Sequence, residues 1–370
     1  MRTRTLRIGG FDHVKAVLIG GGHPVVIQTM WKDRLSFDDL RGEAMVRRIE
    51  TLEKMGCGLL RFAVPDLSAA EALGNLASMV SMPLVADIHF DHKIALRCLD
   101  LPIAKIRINP GNMGSYWTPS GRDKIEAILS KAAANSRPIR IGVNAGSLPR
   151  DLMDRVDDGT LECADAMALA AEREIVLFDE FNFKNVVVSM KASSIADTIK
   201  ANRIFAEKSD IPLHLGVTEA GPLIAGVTRN TAALAVLMRE GIGDTIRVSL
   251  SDTMEKEVIA GREILEVVRD MAGNSVERGV RIVSCPRCGR SGFDAHAFTE
   301  RWQNRLYAMD KNFTLAVMGC AVNGPTEARH ADLGITGAGD KVLIFRGGKI
   351  IHTIDAAEAD TIFEEELKRL

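Results

Sequence analysis

One pattern constrains this chain more than any other: between residues 24 and 270, a short apolar β-rich run is followed by a helical stretch, eight times over. The β-rich runs are 24–30, 59–64, 83–88, 104–108, 138–143, 185–190, 212–217 and 244–250. Alternation of this kind implies parallel strands joined by helical crossovers. Eight such units predict an α/β fold of the closed (β/α)8 TIM-type, with a doubly wound open sheet as the alternative. In the first helical stretch, 37–55, Leu40, Ala44, Met45, Leu52 and Met55 fall on one side and Asp39, Glu43, Glu50 and Lys54 on the other. Ser36 or Asp38 is expected to cap it and Gly56 to end it, while Ser193 is expected to cap a helix over 195–208. Gly20-Gly21-Gly22 lacks the Lys-Ser/Thr of a phosphate loop and predicts a hairpin turn that pairs 16–19 with 25–28.

Parallel strands buried on both faces should be almost continuously apolar. Here polar residues gather in or just after the strands, mostly toward their C-terminal ends: Gln28, Arg61, Asp87 with His89, Arg107 with Asn109, Arg140 with Asn144, Lys191, Glu219, and Arg247 with Ser249. The paired residues lie two or four positions apart, so both members face the same side of a strand. The C-terminal rim is where barrel enzymes assemble catalysis from several strands. A single arginine there reads as a rim salt bridge. Four arginines and Lys191 exceed what Asp87 and Glu219 can pair, and they point to a polyanionic small molecule, most simply a diphosphate. Lys191 among these cations also fits a Schiff-base aldolase.

The repeats stop near Asp270, and Gly273-Asn274-Ser275 reads as a linker between a barrel over 1–270 and a second domain over 271–370. The latter predicts a strand at 280–284, a helix at 295–309, a strand at 314–318, a hairpin 342–345/349–354 turning on Gly347-Gly348, and a final helix at 357–369. It also carries Cys285-Pro-Arg-Cys288 and Gly319-Cys320, with Glu327 seven residues beyond Cys320. Three thiolates without a fourth suit zinc completed by a carboxylate or His330. They equally suit a 4Fe–4S cluster held by Cys285, Cys288 and Cys320 with Glu327 on the fourth iron. Spacing leaves both open. Cys57, Cys98 and Cys163 have no ligand spacing and read as core thiols.

Composition narrows the classes further. The 370 residues carry a formal charge of −2 and only 5% aromatics, which argues against nucleic-acid and membrane-surface binding. No apolar run is long enough to span a bilayer, the N-terminus lacks a signal-peptide core, and six cysteines in a chain of this size do not suggest a disulfide framework. A cytoplasmic protein is expected.

Val85–Phe90, Arg107–Asn112, Arg140–Ser147, Lys191–Ser193, Leu215–Gly221, Gly241–Ser249, Cys285–Cys288 and Gly319–Pro325, in that order, resemble the bacterial 4-hydroxy-3-methylbut-2-enyl diphosphate synthase family along nearly the whole chain. The resemblance implies a (β/α)8 domain joined directly to a 4Fe–4S domain, without the large insertion of plant and some bacterial forms. It implies reductive ring opening of 2-C-methyl-erythritol 2,4-cyclodiphosphate, with two electrons in and one water out. By motif, Arg61, Arg107, Arg140, Lys191 and Arg247 would hold the diphosphate, and Asn109, Asn144 and Ser249 would add hydrogen bonds. Asp87 and Glu219 would lie near the carbon skeleton, with Glu219 as proton donor, and Cys285, Cys288, Cys320 and Glu327 would hold the cluster. It further implies flavodoxin or ferredoxin as electron donor, and a head-to-tail homodimer in which each cluster domain covers the other subunit's barrel. One departure stands out: Thr326 occupies the position before Glu327, where the family commonly has glycine.

Overall fold

A computed structural model describes residues 2–89, 91–109, 118–274, 279–286 and 288–370, with Asn323 described in its backbone alone. The expected segments around Phe90, 110–112, 275–277 and Arg287 therefore lie outside the described residues. The chain divides into two units, Met1–Asn274 and Ser275–Leu370.

The first unit opens with an antiparallel pair, β1 (Leu6–Ile8) and β2 (Val17–Ile19). Eight parallel strands follow: β3 (Val26–Met30), β4 (Cys57–Ala63), β5 (Leu84–Ile88), β6 (Lys105–Ile108), β7 (Ile139–Asn144), β8 (Val186–Lys191), β9 (His214–Leu215) and β10 (Thr245–Ile246). They run β8-β7-β6-β5-β4-β3-β10-β9, and a parallel bridge between Val188 and Leu213 brings the two ends together into a barrel. The open doubly wound sheet is thereby excluded. Helices α1 (Ala44–Lys54), α2 (Leu67–Ala77), α3 (His92–Asp100), α4 (Pro119–Ala134), α5 (Arg150–Asp157), α6 (Cys163–Glu180), α7 (Ile195–Lys208), α8 (Leu223–Arg239) and α9 (Met254–Met271) accompany the strands.

Local chemistry explains most of these boundaries. Asp66, Thr118, Ser194 and Thr253 each accept a backbone N–H in the first turn of the helix they precede. The cap of α7 is thus Ser194, one residue beyond the expected Ser193. Gly56 ends α1 at φ +105°, where a side chain would be strained. The start of α1 departs from expectation. Ser36 Oγ donates to Asp39 instead of capping, 38–40 forms a 3-10 turn, and Glu43 precedes α1 without a side-chain cap.

The expected N-terminal hairpin has a different partner. Residues 17–19 pair with 6–8, because Val26–Met30 is taken by the barrel between β10 and β4. Leu6, Ile8, Val14 and Ile19 pack against Leu59, Val85, Ala104 and Val187, near the N-terminal ends of four barrel strands. The β1–β2 hairpin is the floor of the barrel. Cys57 and Cys98 are buried, and burial pushes both thiols up to about 12, so they stay protonated. Cys163 departs from its expected core position and is half-buried on the first turn of α6.

The second unit is a five-stranded sheet in the order β11 (Val280–Ser284), β12 (Phe313–Met318), β13 (Leu333–Ala338), β14 (Lys341–Arg346) and β15 (Lys349–Asp355). The first three are parallel and the last two run antiparallel. Helices α10 (Ala295–Tyr307) and α11 (Ala359–Lys368) contribute Phe298, Trp302, Leu306 and Phe363 to its core. Strand β13 was not expected, because its Gly334 and Gly337 break a β-rich pattern. Gly334 is required there, since the Phe345 ring occupies the space a side chain would fill.

The floor hairpin makes a quantitative expectation. Ile8 is fully buried, so Ile8→Ala should destabilise the barrel by about 2–4 kcal/mol. A lower denaturant midpoint for the barrel transition checks this, and an unchanged midpoint would mean that the floor is not part of the cooperative unit.

Candidate active site

Alternation along each strand sends every second side chain into the lumen, and the register stacks these into layers. Above the apolar floor lie Gln28, Lys105, Ser189, His214 and Thr245, all buried. Arg61 in the middle of β4, Arg140 near the start of β7, and Asp87, Arg107 and Lys191 toward the ends of β5, β6 and β8 add buried charged groups, with Arg247 just beyond β10. The expected cations therefore converge. Arg107 follows Asp87 and precedes Arg140 in the same register layer, and Lys191 pairs in register with Asn144. Two glycines make room for them. A Cβ on Gly142 would stand 2.5 Å from Arg107 Nε, and one on Gly216 would stand 2.8 Å from Lys191 Nζ.

Two carboxylates organise the cluster. Asp87 accepts from Arg107 Nη1 at 3.0 Å and lies 3.5 Å from Arg61 Nε and from His89 Nε2. Burial opposes its ionisation, but Arg61, His89, Arg107 and Arg140 outweigh burial and hold the carboxyl far below the usual range. The second carboxylate, Glu257 on α9, was missed by sequence reasoning. It accepts from Arg247 Nε at 3.2 Å and Nη2 at 3.1 Å, from Thr29 Oγ1 at 2.6 Å, from Lys32 Nζ at 2.5 Å and from the Leu250 backbone at 3.1 Å. Its signal was available: an acid in the first turn of the helix after the last barrel strand faces the rim.

Lys105 was also missed, because it stands at the start of β6 and not at its end. It is fully buried, and its hydrogen bond runs to Gln28 Oε1 at 3.4 Å. Burial and the neighbouring arginines push the ammonium groups of Lys105 and Lys191 well below the ordinary lysine value. Burial likewise brings Arg61 down to about 10. His214 Nδ1 lies 2.8 Å from Thr245 Oγ1, and burial among the cations keeps the ring neutral.

These groups present nitrogens without acceptors. Gln28 Nε2, Arg61 Nε, Arg107 Nε, Arg140 Nε and Nη1, and His214 Nε2 are buried with no hydrogen-bond partner among the described residues. Buried donors of this kind are costly unless a ligand satisfies them. An acceptor-rich anion is the complementary ligand.

The remaining expected residues border this cluster. Asn109 donates to Ser147 Oγ at 3.3 Å. Asn144 ends β7, and Ser249 is half-buried two residues past Arg247. Glu219 is exposed in the loop after β9 with φ +52°, a left-handed conformation uncommon outside glycine.

In the second unit, Cys285 directly follows β11 and Cys320 lies two residues past the end of the adjacent parallel strand β12. The Gly319 N–H donates to Cys285 Sγ at 3.0 Å. The exposed Cys288 thiol is lowered by the Arg290 backbone hydrogen bond and then by the Arg290 side chain. Glu327 is exposed on a π-helical turn, 323–327. Among the described residues no three His, Cys, Asp or Glu side chains gather into a metal-holding group. Two thiols at neighbouring strand ends, one already accepting a backbone N–H, are nevertheless a donor set suited to an iron–sulfur group, whose sulfurs take such hydrogen bonds.

A (β/α)8 barrel with a cation-lined mouth, joined to a cysteine-bearing α/β domain, defines an enzyme class that works on an anionic small molecule. The chain belongs to the GcpE family: residues 12–262 match the GcpE TIM-barrel domain and residues 281–369 the GcpE protein C-terminal domain. Its relatives include three proteins named 4-hydroxy-3-methylbut-2-en-1-yl diphosphate synthase (flavodoxin). That of Treponema pallidum is 49% identical, covering 100% of this chain and 92% of its own. Treponema denticola provides one at 48%, covering 99% and 98% respectively, and Thermodesulfovibrio yellowstonii one at 41%, covering 100% and 99%.

The Glu257 network predicts an acid-sensitive barrel. The Glu257 carboxyl is lowered in the folded state: burial raises it, but Arg247, Lys32 and Thr29 prevail. The unfolded chain then binds more protons, so this stability is present above the ordinary glutamate range and is lost as pH falls through it. Glu257→Gln should cost about 3–5 kcal/mol near neutrality, by leaving Arg247 unneutralised. It should also flatten the loss of stability measured by urea unfolding as pH falls below about 5. An unchanged acid limb would assign that loss elsewhere.

Proposed function

We propose that this protein catalyses the reaction its relatives are named for. It takes 2-C-methyl-D-erythritol 2,4-cyclodiphosphate and opens the ring reductively to 4-hydroxy-3-methylbut-2-enyl diphosphate, with two electrons in, one water out and protons completing the balance. The observation that carries this reading is the acceptor-poor set of buried donors in a family-matched barrel. A cyclic diphosphate brings the missing acceptors.

Arg61, Arg107, Arg140, Lys191 and Arg247 hold the diphosphate, and Asn109, Asn144 and Ser249 orient it by hydrogen bonds. Asp87 fixes the arginines of β4 and β6 and lies near the carbon skeleton. Glu219, exposed at the rim, exchanges protons with solvent and delivers one to the substrate. The strain of its backbone conformation is of the kind retained at functional sites. Cys285, Cys288, Cys320 and Glu327 hold a 4Fe–4S cluster, which supplies low-potential single electrons that no side chain can supply. The Gly319 N–H that donates to Cys285 Sγ is a hydrogen bond of the kind that cluster-ligating sulfurs take. Electrons come from a small acidic carrier, flavodoxin or ferredoxin, since no G-x-G-x-x-G nicotinamide or flavin fingerprint follows a strand. The reaction runs in the cytoplasm, where thiols stay reduced.

The reading extends to a two-fold dimer in which each cluster domain serves the other subunit's barrel. Glu257 at the start of α9 meets the rim, whereas Gly261 already packs on Ile27 near the start of β3, so α9 descends toward the floor. Its 18 residues cover about 27 Å. Backbone hydrogen bonds keep the chain curled to Asn274, and the five residues 275–279 reach only about 17 Å.

Two experiments test the reading. Anaerobically purified protein should be brown, with broad absorption near 400 nm and about four irons per chain; a colourless protein with one zinc would overturn the cluster. Mixing Cys320→Ala chains with Arg140→Ala chains should restore activity in heterodimers, because one composite site is intact. Heterodimers shown to form, yet inactive, would mean that each chain serves its own barrel.

A further inference from the structure

Beneath the mouth, Lys105 has no part in the roles assigned above, yet its place in the lumen is specific. Its Nζ is fully enclosed and contacts the amide oxygen of Gln28. No carboxylate pairs with it among the described residues: Asp87 is engaged by Arg61 and Arg107, and Glu257 by Arg247 and Lys32. Near it stand Arg61 from β4, Arg140 from β7 and His214 from β9. Arg107 follows two residues along β6 on the same face, paired with Asp87 of β5. A charge on Lys105 in the empty barrel would be buried, unpaired and repelled by arginines that cannot give up theirs. A diphosphate seated on Arg107 and Arg140 reverses the sign of that field.

We propose that Lys105 is a further anion-binding group of the active site, neutral in the empty barrel and protonated when the diphosphate arrives, so that substrate binding takes up a proton. This rests on the diphosphate reading of the mouth and deepens it. The lowered proton affinity of the buried amine agrees with the geometry. The proton settles on Lys105 Nζ, which then donates toward the ligand from below while keeping its contact with Gln28. Of the titratable neighbours, the arginines bind the ligand directly and keep their charge. Lys191, which burial and the same arginines also push well below the ordinary lysine value, and His214, with one nitrogen against Thr245 and the other unpartnered, are the competing acceptors of the proton.

The test is calorimetric titration of the full-length protein with 2-C-methyl-D-erythritol 2,4-cyclodiphosphate, in the absence of any electron donor so that nothing turns over. Each phosphorus of this ligand carries one carbon ester and the shared anhydride bridge, leaving a single strongly acidic group that does not titrate near neutrality, so any proton exchanged belongs to the protein. Comparing buffers of different ionisation heat at pH 8 should show uptake of about one proton per barrel, and affinity should fall up to about tenfold per pH unit as pH rises. In Lys105→Met, shown to be folded by an unchanged melting profile, binding should persist but weaken, and uptake should vanish. Should that variant fail to fold, Lys105→Gln and the wild-type measurement carry the test. Binding without proton uptake in the wild type would overturn the proposal while leaving the substrate reading standing. Uptake that survives in Lys105→Met would overturn it, in favour of the histidine where it disappears in His214→Asn and in favour of Lys191 where it persists there as well. No binding in the wild type would remove the reading of the mouth, and this proposal with it.

Discussion

Electrostatic imbalance inside the barrel is the constraint on which the rest of this structure depends. Six cationic side chains, Arg61, Lys105, Arg107, Arg140, Lys191 and Arg247, line the lumen and mouth around two buried carboxylates, Asp87 and Glu257. Burying each ion costs several kcal/mol, which ion pairing recovers only in part. The fold distributes that cost. Asp87 serves β4 and β6 together, Glu257 ties the last strand to the last helix and to β3, and Gly142 and Gly216 leave space for the guanidinium and ammonium heads. What remains uncompensated is available to a bound anion, which stabilises the folded state in proportion to its affinity.

The second unit solves a related problem with different means. Its cysteines stand at the ends of adjacent parallel strands, where backbone N–H groups point outward, and the Gly319 amide on Cys285 Sγ is one of these. The turn bearing Glu327 is held from outside: a Cβ on Gly348, in the β14–β15 turn, would stand 2.9 Å from the Pro325 carbonyl oxygen. Thr326 lies exposed on that same turn, so its added side chain meets solvent and not the packed side. In the second unit Cys285 and Cys320, like Asp87, Arg107 and Lys191 in the first, stand at or just beyond the carboxyl ends of parallel strands.

The barrel was legible because its information is periodic. Eight apolar runs alternate with helical stretches, and the polar residues at their ends betray the rim. What escaped the sequence was non-periodic or non-local. The partner of Val17–Ile19 depends on which strand reaches it first in space, and β13 was hidden by glycines whose purpose, close packing on Phe345, appears only in three dimensions. Lys105 was overlooked because a charge at the start of a buried strand looks out of place until the lumen above it is seen to be polar. Glu257 sits on a helix, where an acid in the first turn has an ordinary explanation. The rim arginines were found by strand position; their sharing of Asp87 required the register.

The apolar floor built by Leu6, Ile8, Val14 and Ile19 makes the barrel a blind well. Among the described residues the lumen is closed from below by apolar side chains, so ligand, water and protons share the mouth. A product must clear the mouth before the next substrate can enter, and water trapped beneath a seated ligand has nowhere to drain. The lowest polar layer, around Gln28 and His214, is therefore hydrated or dehydrated as one unit each time the mouth is occupied.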